Sequence, residues 1–142
     1  MKLAIALSLL ISLPTLAAPV NPAATLYGIA AELQGGDGDC GHGSCFATLT
    51  KVSCTWYLAT PNEGNQCDYV GIDGASRHLD GASARRLIDA IDAVAKVPSD
   101  AAMGRGGFAN DVDVSCAEHR ILSGRATKFT YECRVEDSEK RE

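Results

Sequence analysis

Six cysteines, all between positions 40 and 133, constrain this chain more than any other feature of its 142 residues. An even count in an exported chain reads as three bridges rather than as catalytic or metal-bound thiols. Their setting narrows the pairing. Lys51-Val52-Ser53-Cys54 and Asp113-Val114-Ser115-Cys116 share Val-Ser-Cys, and each is followed by a turn and a return strand with a second cysteine, Cys67 and Cys133. The separations are 13 and 17 residues. Two hairpins, each bridged by its own pair, are the simplest reading, which leaves Cys40 with Cys45 across a glycine-rich loop.

Export is expected from the first residues. Lys2 precedes the apolar run Leu3–Leu13, Pro14 breaks it, and small residues follow at Ala17 and Ala18. Residues 1–17 therefore read as a cleaved signal peptide, too short to span a bilayer. No cysteine stands at the cleavage point, so no lipoprotein anchor is expected, and no second apolar run suggests a stable membrane anchor. Residues 18–136 then form a single secreted or periplasmic domain, and 137–142 a charged, disordered tail.

Charge excludes one class of partner. The chain carries 13 basic against 18 acidic side chains, and one of the basic residues, Lys2, lies in the leader. A phosphate-tracking nucleic-acid binder shows the opposite excess or a basic stripe. Arg85–Arg86 and the terminal Lys140–Arg141 are isolated adjacent basic pairs, which is too little.

The pattern predicts an α+β fold: an antiparallel sheet of five to six strands with one amphipathic helix packed on it. Thr25–Leu33 alternates, with Tyr27, Ile29, Ala31 and Leu33 on one side, as in a half-buried strand. Cys45–Leu58 is rich in aromatic and β-branched residues, a long strand. Cys67–Ile72 and Ala75–Leu79 flank Asp73-Gly74, the signature of a type I′ hairpin. In Asp80–Val97 the period changes: Ala84, Leu87, Ile88, Ile91, Val94 and Ala95 recur at helical spacing, with Asp80 or Ser83 as cap and Pro98 beyond the end. Arg85–Asp89 and Asp92–Lys96 are expected i,i+4 pairs on its surface. Ser99–Gly107 reads as a flexible connection. A last hairpin centres on Gly124-Arg125 as a type II′ turn. Its register sets Cys116 opposite Cys133, Glu118 opposite Tyr131, Arg120 opposite Phe129 and Leu122 opposite Thr127.

Chemistry-bearing residues gather in the run Gln34–Ser44. Alternating Asp37 and Asp39 with His42 can converge on a hard cation. The stretch resembles one Gly-Gly-x-Gly-x-Asp unit of the RTX calcium repeats, which occur in stacked copies, and the resemblance implies a calcium-binding surface module. The plainer reading is a disulfide-pinned loop whose glycines allow tight turning. Zinc on Cys40, His42 and Cys45 conflicts with an oxidising compartment. Ser44 lacks the Gly-x-Ser-x-Gly elbow. His119 falls on the polar face of its strand, and its neighbour Glu118 points the other way, so the two do not form an acid/base pair.

The class that fits these residues is a small exported, disulfide-stabilised binding protein. An inhibitor or a periplasmic immunity factor acting on a secreted enzyme or toxin has this design, and a protein partner is expected. No cofactor is called for and no catalytic set is expected. The binding residues expected are Asp37, Asp39, His42 and Ser44 in the loop, with Arg120 and Arg125 near the hairpin tip. The alternatives are a small secreted hydrolase, using Asp37 or Asp39 with His42 and a distant carboxylate, and the calcium-binding module.

Overall fold

The structure, a computed structural model, describes residues 20–140. The expected signal peptide, 1–17, and the last two residues of the expected tail lie outside them. The elements run α1 (Pro22–Leu33), β1 (Cys40–Gly41), β2 (Ser44–Tyr57), β3 (Gln66–Val70), β4 (Ser76–Asp80), α2 (Gly81–Val94), β5 (Ser99–Ala102), β6 (Arg105–Phe108), β7 (Val112–Ser123) and β8 (Ala126–Asp137), closed by a 3-10 turn at Ser138–Lys140. Among the described residues all strand pairs are antiparallel, and the architecture is α+β as expected, with eight strands rather than five to six and two helices rather than one.

Strand β2 organises the sheet. Its first half pairs with β1 and β7, and its second half with β3 and β6. Between the halves Lys51 takes φ +50°, and the register shifts against both β3 and β7. That bulge bends the strand. The N–H of Lys51 would otherwise lose a ladder partner, and Asp113 supplies one: Oδ1 accepts from Lys51 N at 3.0 Å and from Ser138 Oγ at 2.7 Å. Asp113 is buried, so these bonds offset the cost of taking a carboxylate from water. Between β1 and β3, side-chain and loop groups replace a strand along the edge of β2. Gln34 Oε1 accepts from Thr48 N at 3.2 Å, and the Asp39 carbonyl accepts from Phe46 N at 3.0 Å.

The segment expected as a first strand is helix α1. Asn21 caps it, Oδ1 accepting from Ala23 N at 3.1 Å, and Pro22 occupies the first turn, where its missing N–H costs nothing. Leu26, Ile29 and Ala30 are buried at helical spacing. The alternation of Tyr27, Ile29, Ala31 and Leu33 is genuine, but Leu26 and Ala30 complete a 3.6-residue stripe that covers more core. Helix α1 packs on α2, β2, β7 and β8, and α2 on β3, β4 and β8.

Helix α2 matches its expected face, with Ala84, Leu87, Ile88, Ala90 and Ile91 buried. It ends at Val94, so Lys96 lies off the helix and the expected Asp92–Lys96 pair does not form within it, whereas Arg85 Nε donates to Asp89 at 2.9 Å. The expected flexible connection is instead the β5–β6 hairpin, which lets Gly106 lie close beneath the Trp56 indole. Only Gly74 has positive φ in the β3–β4 turn, so it is not type I′; the loop spans residues 71–75, with Gly74 N donating to the Gly71 carbonyl at 3.0 Å. The β7–β8 register is as expected, and Gly124 alone has positive φ, as a type II′ turn requires. Residues 137–140 depart from the expected disordered tail. Asp137 ends β8, Asn110 Nδ2 donates to its Oδ2 at 3.1 Å, and Ser138 N donates to the Asp111 carbonyl at 2.9 Å.

The three bridges are Cys40–Cys45, Cys54–Cys67 and Cys116–Cys133, each joining residues directly opposite on neighbouring strands with Cα atoms 4.1 Å apart. Such a set fits an oxidising, exported setting. Among the described residues, no helix is long and apolar enough to cross a membrane.

Candidate functional site

The glycine-rich loop and the hairpin tip, far apart in sequence, meet at one end of the molecule. Pairing of β2 with β7 places Ser44 opposite His119 and Cys45 opposite Glu118. One step further, Arg120 N donates to the Gly43 carbonyl at 2.8 Å. The Cys40–Cys45 bridge ties the loop to the start of β2, and His42 (φ +53°) and Gly43 (φ +81°) make the turn between them. Loop residues 40–45, with Glu118, Arg120 and Phe129, line an open hollow of about 320 Å³.

Beyond the hollow the tip stands clear of the core. Ile121, Leu122 and Phe129 are exposed, Leu122 at 73%. Arg120 and Arg125 are exposed beside them. The inner face of the same hairpin is anchored nearer the core. The Tyr131 hydroxyl donates to the Glu118 carboxylate, which, with burial, pushes the Tyr131 pKa up; burial and then the Glu118 charge do the same to Tyr27. The two tyrosine rings lie 5.7 Å apart at a tilt. Glu118 thus marks where the packed part of the hairpin ends and the projecting part begins.

Of the expected binding residues, the structure brings His42, Ser44 and Arg120 to the hollow. Asp37 and Asp39 are exposed on the approach to the bridge, and Arg125 stands at the turn itself. Asp37 and Asp39 do not meet a third ligand: among the described residues no three His, Cys, Asp or Glu side chains converge as for a metal ion. Cys40 and Cys45 are bonded to each other and have no thiolate to offer zinc.

One arrangement was not anticipated. On the outer face of the sheet, Ser44 Oγ lies 2.8 Å from His119 Nδ1, and His119 Nε2 lies 3.2 Å from Glu132 Oε2. A ring protonated on Nε2 donates to Glu132 and accepts from Ser44. The hairpin register already put His119 and Glu132 on one face, but nothing in the sequence announced that β2 would lie beside β7 with Ser44 opposite His119. Glu118 and His119 point to opposite faces, as expected for strand neighbours. The comparisons with protein-family models, curated proteins and solved structures give no match for this chain.

Proposed function

We propose that the protein is a small exported binding protein whose hairpin tip and bridged loop form one contact surface for a protein partner, in the manner of an inhibitor or immunity factor. The observation that carries this reading is the junction of Arg120 N with the Gly43 carbonyl, which fuses the two projecting segments into a single pre-organised edge. Rigid projecting elements lose little entropy on association, so their contacts convert to affinity with less loss. Exposed Leu122, Ile121 and Phe129 supply apolar contact, and Arg120 and Arg125 supply planar donors on a molecule with net charge −5.

The test is affinity capture from the native exported proteome with wild-type protein and with Leu122→Asp, Arg125→Glu and Asp37→Ala/Asp39→Ala variants of unchanged Tm. A partner retained by the wild type and lost from the tip variants supports the reading. Equal retention by every tip and loop variant overturns it, as does loss confined to His119→Ala.

A further inference from the structure

The chain Ser44–His119–Glu132 has the connectivity of an activated nucleophile: a hydroxyl, a base within hydrogen-bond reach of it, and a carboxylate that fixes the base. Three strands supply it, β2, β7 and β8, so the geometry is set by sheet pairing rather than by a mobile loop. His119 is the more shielded partner, at 35% side-chain exposure against 74% for Glu132. Its ring is held at both nitrogens, which selects one tautomer and one orientation. Ser44 is fixed from behind by the neighbouring Cys40–Cys45 bridge.

The surroundings also suit a ligand. Moving along the strands from Ser44 and His119, the central strand carries only small side chains on this face, Ser115 and Ala117. Phe46 and Thr48 stand on one side of them, Glu132 and Arg134 on the other. Together they line a trough of about 410 Å³. Phe46 is 47% exposed, an apolar wall open to an acyl or aryl group, and Arg134 is an exposed guanidinium opposite it. Among the described residues no helix packs on this side; α1 contacts the other side of the hairpin through Tyr27 and Ala23.

We infer that Ser44 is a nucleophile that accepts acyl groups from small activated esters, with His119 as its base and Glu132 as the positioning carboxylate. Ser44 Oγ attacks the ester carbonyl carbon while its proton passes to His119 Nδ1. The Oγ–C bond forms, the bond from carbon to the alkoxy oxygen breaks, and the Nδ1 proton leaves with the alcohol. Water then attacks the acyl carbon and gives a proton to Nδ1. The Oγ–C bond breaks, the carboxylic acid departs, and Oγ recovers its proton. The balance is ester plus water to acid plus alcohol. Because Ser44 opens on an uncovered sheet rather than in an enclosed cleft, the fitting donor is a small ester with a good leaving group, not a peptide. The inference stands apart from partner binding, since its readout needs no partner.

The test uses the exported chain with p-nitrophenyl acetate and, separately, a fluorophosphonate probe. Peptide mapping locates the adduct among all the serines, and nitrophenolate release gives the rate. The expected result is modification at Ser44, with release falling roughly 10²-fold in Ser44→Ala and in His119→Gln, and less in Glu132→Gln. The pH profile of the wild-type rate is flattened in His119→Gln. All three residues lie on the outer face, and matching Tm values confirm that the variants are folded. Adducts spread over other serines, or Ser44 modified equally fast in His119→Gln, overturn the inference. If a variant does not fold, the serine-by-serine map of the wild type decides, because an unactivated Ser44 reacts no faster than the other exposed serines.

Discussion

Asp113 shows how one residue sets a bend in the whole sheet. Its carboxylate serves the N–H of Lys51, a non-glycine residue at positive φ, and the hydroxyl of Ser138. Asp113→Ala leaves both donors short of a partner in a buried place and is expected to cost about 1–3 kcal/mol, read by denaturant unfolding. Asp113→Asn keeps an acceptor oxygen and is expected to lose less. Ile91 makes the matching apolar case. It is fully buried in the helix stripe, so Ile91→Asp places an unpaired carboxylate in the core and is expected to cost more than about 3 kcal/mol, while exposed Asp92→Ala stays within about 0.5 kcal/mol. Equal melting temperatures for the two would contradict the packing of that face. Asp73 adds a pH dependence. Arg77 grips both its oxygens at 2.7 Å and Ala75 N donates at 3.1 Å, which holds its carboxyl well below the usual carboxylate range. The folded pKa lies below the unfolded one, so the stabilisation is complete above roughly pH 4 and fades as pH falls below it. Thermal melts on acidification should therefore fall less steeply for Asp73→Asn than for the wild type, and the effect is small because the pair is exposed.

At the scale of elements, legibility followed the strength of local signals. The β7–β8 hairpin was readable to the residue because a II′ turn, a cysteine pair and strict alternation all demanded one register. Helix α2 was readable because its apolar residues fit only the 3.6-residue period. Helix α1 was not, since Ile29 and Leu33 satisfy both periods and the deciding evidence, the Asn21-Pro22 start, lies outside the alternating stretch. The β5–β6 hairpin was hidden by its glycines: Gly104 makes the turn at φ +76°, while Gly106 and Gly107 allow a close approach to Trp56 and to the backbone of β2 that no local pattern reveals. The proposed contact edge was legible as two pieces, and their junction was not. Likewise Ser44, His119 and Glu132 were visible singly, but their meeting depends on β2 lying beside β7, a pairing between segments 75 residues apart. This junction predicts a local change: Gly43→Pro, which forces negative φ at a residue that sits at +81°, should disturb the 40–45 loop and the Arg120 contact while leaving the helices intact. Backbone NMR shifts confined to residues near 40–45 and 118–121 would show it, and a general loss of helix signal would contradict it.

Across the whole molecule, stability and the proposed recognition fall to opposite parts of the long strands. Core packing holds the stretch of β7 from Val112 to Ala117, the stretch of β2 from Ala47 to Cys54 and both helices, whereas residues 120–129 are all exposed. The bridges divide in the same way. Cys54 and Cys67 are core residues, but Cys40 lies exposed at the projecting end. In the loop-entropy model the 13-residue closure contributes about 3 kcal/mol and the 5-residue one about 2. Removing the buried sulfurs also leaves a cavity, which adds to the first figure and not to the second. The double variant Cys54→Ala/Cys67→Ala should therefore melt roughly 10 °C or more below the wild type, and Cys40→Ser/Cys45→Ser distinctly less far below it. Amide exchange should sort the chain identically, with fast exchange at the unpaired residues 36–38 and at the turn residues 124–125, and slow exchange at Arg120 N, in a protein whose 112–117 amides exchange only on global unfolding. Equal melting losses, or tip amides protected as well as the core, would mean that the projecting end is part of the cooperative unit. Under the expected outcome the contact edge can be altered residue by residue without unfolding the scaffold, so a lost partner reports on contact rather than on folding.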